Sequence, residues 1–147
     1  MSHVQLTPDE LIEEFLSLDD WNDRFQYLIE LGEQLEPFPE EYRRDENLVQ
    51  GCQSNVWLVP RVIEGSPPRI ELLADSDSQL VRGLIAILVI LLSGKTPQEI
   101  LATDVDSVFR KLELQRHLSR SRSNGFYSMV RRIRELAAQY ATQVDAT

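Results

Sequence analysis

Apolar positions near the start of the chain repeat at the spacing of two amphipathic helices. Thr7-Pro8-Asp9-Glu10 has the pattern of a capping box with proline at the first helical position, and apolar residues at helical spacing follow it. Asp20 is a suitable N-cap for a second helix, whose apolar stripe starts at Trp21 and which we expect to end at Gly32. Prolines and acidic residues in segment 36–46 predict a loop or a broken helix.

The middle of the chain has the two-residue alternation of β-strands. Residues 56–62 place apolar side chains on two faces, and Pro60 among them indicates a sheet edge or a bulge. A turn over residues 64–68 and an apolar run at Ile70–Leu73 complete a predicted antiparallel hairpin.

Helical spacing returns after the hairpin. A strongly apolar helix is predicted over Gln79–Ser93, with Asp75-Ser76-Asp77-Ser78 offering N-cap candidates and Gly94 at its end. Later helices are predicted to begin at Thr96-Pro97-Gln98-Glu99, at Asp106, and at Ser123 or Asn124. Because the strands are grouped and do not alternate with helices, the predicted fold class is α+β with a small antiparallel sheet packed by helices.

Length and composition narrow the class of protein. The 147 residues suit one domain, and we expect residues 1–147 to form a single unit. A hydrophobic content of 42% with 27% charged residues is typical of a folded protein, not a disordered one. Cys52 is the single cysteine, which excludes an internal disulfide, and with His3 and His117 it gives too few ligands for a cysteine-rich zinc site.

Targeting signals and charge give expectations about location and partners. The first residues lack the features of a secretory signal, and the apolar stretch Leu84–Leu92 is too short for a membrane span, so we expect a cytoplasmic protein. The net charge is −9, with 14 acids and 3 bases in residues 1–50 but 8 bases and one acid in residues 110–134. These blocks are either solvated helix faces or docking surfaces for a protein. The negative net charge argues against a nucleic-acid partner.

Cys52 is the candidate for chemistry. It follows Gly51 in a loop that enters the first predicted strand, and loops held by a scaffold often carry reactive groups. Free backbone N–H groups in such a turn favour a thiolate. The alternative is a small buried hydrophobe, the ordinary state of a lone cysteine.

Five ordered blocks of the chain resemble the SufE family of sulfur acceptors for cysteine desulfurases. The first is Gly51-Cys52-Gln53-Ser54, followed by Val56-Trp57. The others are Trp21–Gly32, Asp75-Ser76-Asp77 before Val81–Ala86, Thr96–Ile100, and Leu118–Gly125. Together they span most of the chain, in order, from about Leu11 to Leu136, which argues against chance similarity.

The resemblance implies a sulfur carrier, not an enzyme acting alone. Cys52 would accept persulfide sulfur from a SufS-like cysteine desulfurase, stimulate that enzyme and pass the sulfur to a SufBCD-like iron–sulfur scaffold. No resident cofactor and no metal site are expected, and neither a nucleic-acid nor a membrane partner is expected. The resemblance also implies a fold like that of IscU with about three strands, the third expected around Leu48–Gly51. A single thiol suits this role, because a second thiol in the chain would attack the persulfide.

The residues around Cys52 have alternative roles. Gln53 and Ser54 either donate hydrogen bonds to the carried sulfur or fix the turn that Gly51 allows. Arg122 matches the arginine of the family's closing loop, as a thiolate partner, a docking charge or an ordinary surface residue. Asp75 most simply caps the central helix, with a further influence on the mobility of the cysteine loop as the alternative.

A carrier thiol must be reactive and yet protected from oxidation. We therefore expect Cys52 on a mobile loop, partly covered by Trp57, Leu48 or the central helix. Two rival functions remain open: a cysteine hydrolase or transferase with His117 as base, and an adaptor or regulator in which Cys52 is inert. The first rival requires Cys52 and His117 within hydrogen-bonding reach.

Overall fold

The structure, a computed structural model, describes residues 5–145 and has the predicted α+β architecture. Its helices are α1 (Pro8–Leu16), α2 (Trp21–Glu33), α3 (Gln79–Leu92), α4 (Pro97–Ala102), α5 (Val105–Lys111), α6 (Leu114–His117) and α7 (Arg120–Asp145). The strands β1 (Val56–Ile63) and β2 (Arg69–Ser76) pair in an antiparallel sheet. His3, counted above among possible zinc ligands, lies outside the described residues.

The predicted N-terminal caps are present. Thr7 Oγ1 accepts a hydrogen bond from the Glu10 backbone N–H while the Glu10 carboxylate accepts one from the Thr7 N–H, which completes the capping box of α1. Thr96 and Glu99 make the same reciprocal pair at α4, and the Asp20 carboxylate caps α2. These three helices therefore begin where their local sequence predicts.

The sheet has two strands in the described residues, not about three. The segment expected to form the third strand makes a single antiparallel bridge, between Leu48 and Trp57, with the Val49 N–H donating to Val56 O at 2.9 Å. A 3₁₀ turn over Asp45–Asn47 ends just before this segment, and Gly51 turns the chain with φ at +94° just after it. Too few residues between them are extended to form a strand.

The β1–β2 hairpin pairs continuously from Val56–Ser76 to Ile63–Arg69. Pro60 lies opposite Leu72 on a strand that has no second full partner among the described strands, so the edge position predicted for it is confirmed and the bulge is absent there.

The start of the central helix corrects the predicted role of Asp75. Ser78 is the N-cap of α3, with its hydroxyl accepting a hydrogen bond from the Val81 N–H, whereas Asp75 lies within β2. Asp77 is not a cap either, because its carboxylate accepts a hydrogen bond from the Asn55 N–H. The second strand continues to Ser76, beyond the predicted end at Leu73, because its pairing with β1 continues that far.

The C-terminal helices also begin earlier than predicted. α7 starts at Arg120, ahead of the Ser123 or Asn124 predicted from the sequence, and the Ser119 hydroxyl accepts a hydrogen bond from the Arg122 N–H in its first turn. The short α6 was not predicted. It follows Glu113, whose left-handed conformation, with φ at +60°, changes the direction of the chain between α5 and α6.

The core is organised around α3, in which ten of the 14 residues are buried. α2 packs directly on α3: a Cβ on Gly83 would lie 2.3 Å from the Leu28 carbonyl oxygen, and one on Gly32 would lie 2.7 Å from the Gly83 nitrogen. Glycine at both positions permits this backbone contact. On α7 the residues Met129, Ile133 and Leu136, which follow helical spacing, are buried, and Tyr140 is partly buried against the core. None of the described helices is both long enough and apolar enough to cross a membrane.

Candidate functional site

The loop that carries Cys52 packs against the first turns of α7. The Cys52 Sγ lies 3.5 Å from the Gly125 carbonyl oxygen, to which the thiol donates a hydrogen bond. One residue earlier, Gly51 lies so close to Ser128 that a Cβ on it would be 2.5 Å from the serine Oγ. Glycine is required at position 51 for two reasons: its φ is positive, and a side chain would collide with Ser128. Two contacts with one helix therefore fix the position of the thiol.

Cys52 is partly buried, so the thiol is neither fully exposed nor sealed in the core. Burial raises its pKa above the usual value for cysteine, because a thiolate is stabilised less in a partly apolar environment than in water. The thiol is therefore held mainly in its neutral, unreactive form in this conformation.

A cavity of about 230 Å³ opens beside the thiol. Its apolar wall combines the start of β1, the central helix and α7, and consists of Val56, Val81, Leu84, Phe126 and Met129. Its polar side consists of Gln53, Ser54, Ser119, Ser121 and Arg122. The cavity thus has room beside Sγ, an apolar wall and several polar groups along one side.

Most of the predicted site residues come together at this cavity. Gln53, Ser54 and Arg122 line it with Cys52. Gly51 does not line the cavity, but its contact with Ser128 holds the cysteine loop against α7. The Arg122 side chain is exposed and makes no ion pair with a described residue. The predicted cover by the central helix is present, whereas the other two candidate covers, Leu48 and Trp57, do not line the cavity.

Asp75 lies apart from the cavity, in a network of charges on the sheet. Its carboxylate forms ion pairs with Arg43 and Arg82, and the Arg43 guanidinium lies 5.1 Å from the centre of the Trp57 ring. Asp75 therefore joins the segment before the cysteine loop to the start of α3. The residue that reaches the cysteine loop from this side is Asp77, through its bond to Asn55.

His117 belongs to a different part of the surface. Its ring stacks on Trp21 with the centroids 3.6 Å apart, and it does not line the cavity beside Cys52. The hydrogen bond of Sγ goes to a backbone carbonyl, and within residues 5–145 no histidine bonds to the thiol. The geometry thus argues against a Cys52–His117 catalytic pair. The same part of the chain has no group of three or more His, Cys, Asp or Glu side chains that could hold a metal ion.

The apolar part of the α7 side of the cavity was missed from the sequence. Phe126 and Met129 have the three-residue spacing of one helix face, which predicts burial but not the partner they bury against. Gly125 is the one local signal that could have been used, because a glycine inside a helix often marks a close contact.

Comparison with known proteins identifies the family. The family model described as SufE, Fe-S metabolism associated domain, matches residues 9–137. An uncharacterised SufE-like protein of Rhizobium etli is 49% identical over 131 residues, covering 88% of each chain. A second SufE-like protein, of Rhizobium meliloti, is 45% identical over 130 residues, covering 88% of this chain and 93% of that relative.

A solved structure supports the fold. The solution structure of a hypothetical protein from Thermus thermophilus superposes with a TM-score of 0.73 at 20% identity, covering 92% of this chain and 96% of the other. At this identity the likeness concerns the fold alone. With the family model matching most of the chain and close relatives at nearly half identity, the chain belongs to the SufE family, whose domain is associated with Fe–S metabolism.

Proposed function

We propose that this protein is a sulfur carrier that accepts persulfide sulfur from a cysteine desulfurase on Cys52. In this role it stimulates the desulfurase by clearing its active-site cysteine, and it passes the sulfur to an iron–sulfur scaffold. SufE family membership supports a role in Fe–S metabolism. The observation that carries the finer proposal is the position of the single thiol of the chain, partly buried beside a cavity with free space.

The cavity suits a persulfide. One additional sulfur extends the side chain by about 2.05 Å, and a cavity of about 230 Å³ accommodates a group of that size without moving the core. Val81, Leu84 and Phe126 provide an apolar wall that limits water around the sulfur. Gln53 and Ser54 provide polar groups on the opposite side for hydrogen bonds to it.

The transfer is an exchange between two sulfur atoms. The Cys52 thiolate attacks the terminal sulfur of the desulfurase persulfide, a new S–S bond forms on Cys52, and the S–S bond on the desulfurase breaks. The leaving group is the thiolate of the desulfurase cysteine. The products are Cys52 persulfide and a free desulfurase, so no external oxidant or reductant is consumed.

Burial of Cys52 makes this reaction depend on the partner. The attacking group must be the thiolate, and burial raises the pKa of the thiol. The desulfurase must therefore draw the loop outward or supply positive charge that stabilises the anion. Until the desulfurase binds, the neutral thiol resists oxidation, which suits a carrier that keeps its cysteine reduced in the cytoplasm.

Intact mass spectrometry tests the proposal directly. The protein is mixed with its cognate cysteine desulfurase and L-cysteine, and a gain of about 32 Da, one sulfur atom, is expected on Cys52 and lost on reduction. The Cys52→Ser variant is the matched control and should show neither the adduct nor stimulation of the desulfurase. Absence of the adduct in the unmodified protein would refute the proposal.

The Cys52→Ser variant also separates the carrier from an adaptor. An adaptor acts through its surface, so it would keep full stimulation of the desulfurase without the thiol. A cysteine transferase with His117 as base predicts that His117→Gln abolishes the reaction. The stacking of His117 on Trp21, away from the cavity, instead predicts that this variant remains active.

A further inference from the structure

The loop that carries Cys52 is closed at its base as well as held at its tip. The bridge between Leu48 and Trp57 closes residues 49–56 into a loop. Contacts of the cysteine and of Gly51 with α7 hold the tip of this loop. The position of the thiol therefore depends on two separate anchors, one on α7 and one where β1 begins.

The segment that leads into this loop lies on the face of the sheet opposite α3. Residues 36–47, here called the crossing segment, begin on this face, where the Glu36 carboxylate accepts two hydrogen bonds from the Arg61 guanidinium at 3.0 and 3.2 Å. Leu73 lies on the same face and is buried, although it does not belong to the hydrophobic core cluster that contains α3. The start of the crossing segment is therefore held against the sheet.

Arg43 holds the other end of the crossing segment beside the base of the loop. Its guanidinium donates hydrogen bonds to the carboxylates of Asp75 and Glu40. The same group lies 5.1 Å from the centre of the Trp57 ring and 5.3 Å from the centre of the Phe38 ring. Because Trp57 and Asp75 are opposite each other in the register of the sheet, one side chain contacts both strands where the loop closes.

This contact is better shielded from water than an ordinary surface ion pair. The side chains of Arg43 and Asp75 are 26% and 15% exposed. A hydrogen bond between charged groups in a partly desolvated site contributes more to stability than an exposed pair, which water and salt screen. The tryptophan ring beneath the guanidinium adds a cation–π interaction. Removal of Arg43 would therefore weaken the attachment of the crossing segment to the loop base.

We propose that Arg43 is a positioning residue for Cys52, because it fixes the base of the cysteine loop and confines movement of the thiol to the tip. Arg43 does not line the cavity beside the thiol and acts through Trp57 and its bridge to Leu48. Without Arg43, base and tip separate from the body of the protein together, so the thiol is exposed more often. Only the consequence for sulfur transfer rests on the proposed function, since exposure of the thiol needs no partner.

Alkylation of native Cys52 by iodoacetamide at increasing urea concentration tests the inference on the full-length protein. Below the unfolding transition we expect Arg43→Gln to raise the alkylation rate about tenfold, the effect of one lost hydrogen bond between charged groups. This increase should not depend on urea, because opening of a short loop exposes little surface, whereas alkylation through global unfolding accelerates steeply with urea. The urea dependence thus separates a positioning role from a general loss of stability.

Arg61→Gln is the matched control. Arg61 lies on the same face of the sheet and, like Arg43, pairs with two carboxylates, those of Glu36 and Glu71, but it lies further along β1 from the loop base. Its loss should leave the alkylation rate below the transition within about twofold of the unmodified protein. Arg43→Lys keeps the charge but not the planar group over Trp57, and it should raise the rate about threefold.

Three results would overturn the proposal. The first is an alkylation rate that neither Arg43 variant changes, and the second is an equal increase in Arg61→Gln, which would assign the effect to any loss of ion pairing. The third is an increase that grows with urea as steeply as global unfolding does. If Arg43→Gln does not fold, Arg43→Lys decides among these results. Absence of the sulfur adduct with a desulfurase would refute the proposed function without changing these rates, so the two proposals fail separately.

Discussion

Replacing Gly51 with alanine should disturb the cysteine loop more than a comparable replacement elsewhere. The residue has φ at +94°, and the new Cβ would lie 2.5 Å from Ser128 Oγ and 3.3 Å from Ser128 Cβ. The left-handed conformation costs about 1–2 kcal/mol for a residue with a Cβ, and overpacking against a buried side chain adds about 1–3 kcal/mol. If the loop keeps its position, the free energy of unfolding falls by the sum of these costs.

Gly94 is the matched control for this substitution. Its φ is +80°, but a Cβ on it would meet nothing within 4 Å. Gly94→Ala should therefore show the conformational cost of about 1–2 kcal/mol without the steric cost. Ser128→Ala combined with Gly51→Ala removes the closest contact and should recover part of the lost stability.

Two assays separate the ways in which the loop can respond. Urea unfolding measures the stability lost if the loop stays in place. Alkylation of Cys52 with iodoacetamide, followed by intact mass, measures whether the loop moves outward and exposes the thiol, and the single cysteine makes the adduct unambiguous. Equal stability of Gly51→Ala and Gly94→Ala, together with unchanged Cys52 alkylation in both, would refute the proposed support of the loop by Ser128.

Four further predictions concern the thiol, the α2–α3 contact and the Arg24 site. The pH midpoint of Cys52 alkylation should lie above the value of about 8.5 for an unperturbed cysteine, since burial raises its pKa, and a midpoint at or below that of a short peptide contradicts this. Gly83→Ala should lower the free energy of unfolding by more than about 2 kcal/mol, since the Cβ would meet a backbone carbonyl at 2.3 Å, and a neutral urea titration would contradict that contact. Arg24→Met should destabilise the fold by about 1–2 kcal/mol, because its guanidinium donates to the Leu18 carbonyl at 2.7 Å beside two aromatic rings. Glu113→Gln should cost less than Arg24→Met, because that carboxylate is half exposed and 3.5 Å from the guanidinium; the reverse order in thermal unfolding would show that the ion pair dominates.

Local signals in the sequence predicted the helix starts that depend on local hydrogen bonds. The capping boxes at Thr7 and Thr96 and the cap at Asp20 involve residues two or three positions apart, so the sequence contains all the information needed. Asp75 was assigned to the wrong role because aspartate suits both a cap and an ion pair. The choice depended on Arg43, 32 residues away in the chain.

The sheet was predicted less well because its limits depend on pairing. β2 extends to Ser76, although Leu72, Leu73 and Ala74 are all buried and do not alternate. The expected third strand is reduced to one bridge at Leu48, since the turns on both sides leave few residues extended. Neither limit has a signal in the local pattern.

The candidate site shows the same division between local and distant information. Cys52 and the residues that flank it were identified from one contiguous motif. Arg122 was identified only through the family resemblance, and the apolar wall formed by Phe126 and Met129 was not identified, because it requires α7 to pack on a loop more than 70 residues earlier. The motif therefore predicted the reactive atom but not the environment that controls it.

That environment explains how one thiol can be both protected and available. The apolar wall of the cavity comes partly from α3, the buried centre of the core. Because the core is closely packed, this side of the cavity moves little. The loop itself is held to α7 by the thiol's bond to Gly125 and by the contact of Gly51 with Ser128. Both contacts involve few atoms, so breaking them requires far less free energy than unfolding the core. A partner that draws the loop away from α7 would expose the thiol to water and lower its pKa toward the ordinary value, so the same movement would deliver Cys52 and activate it.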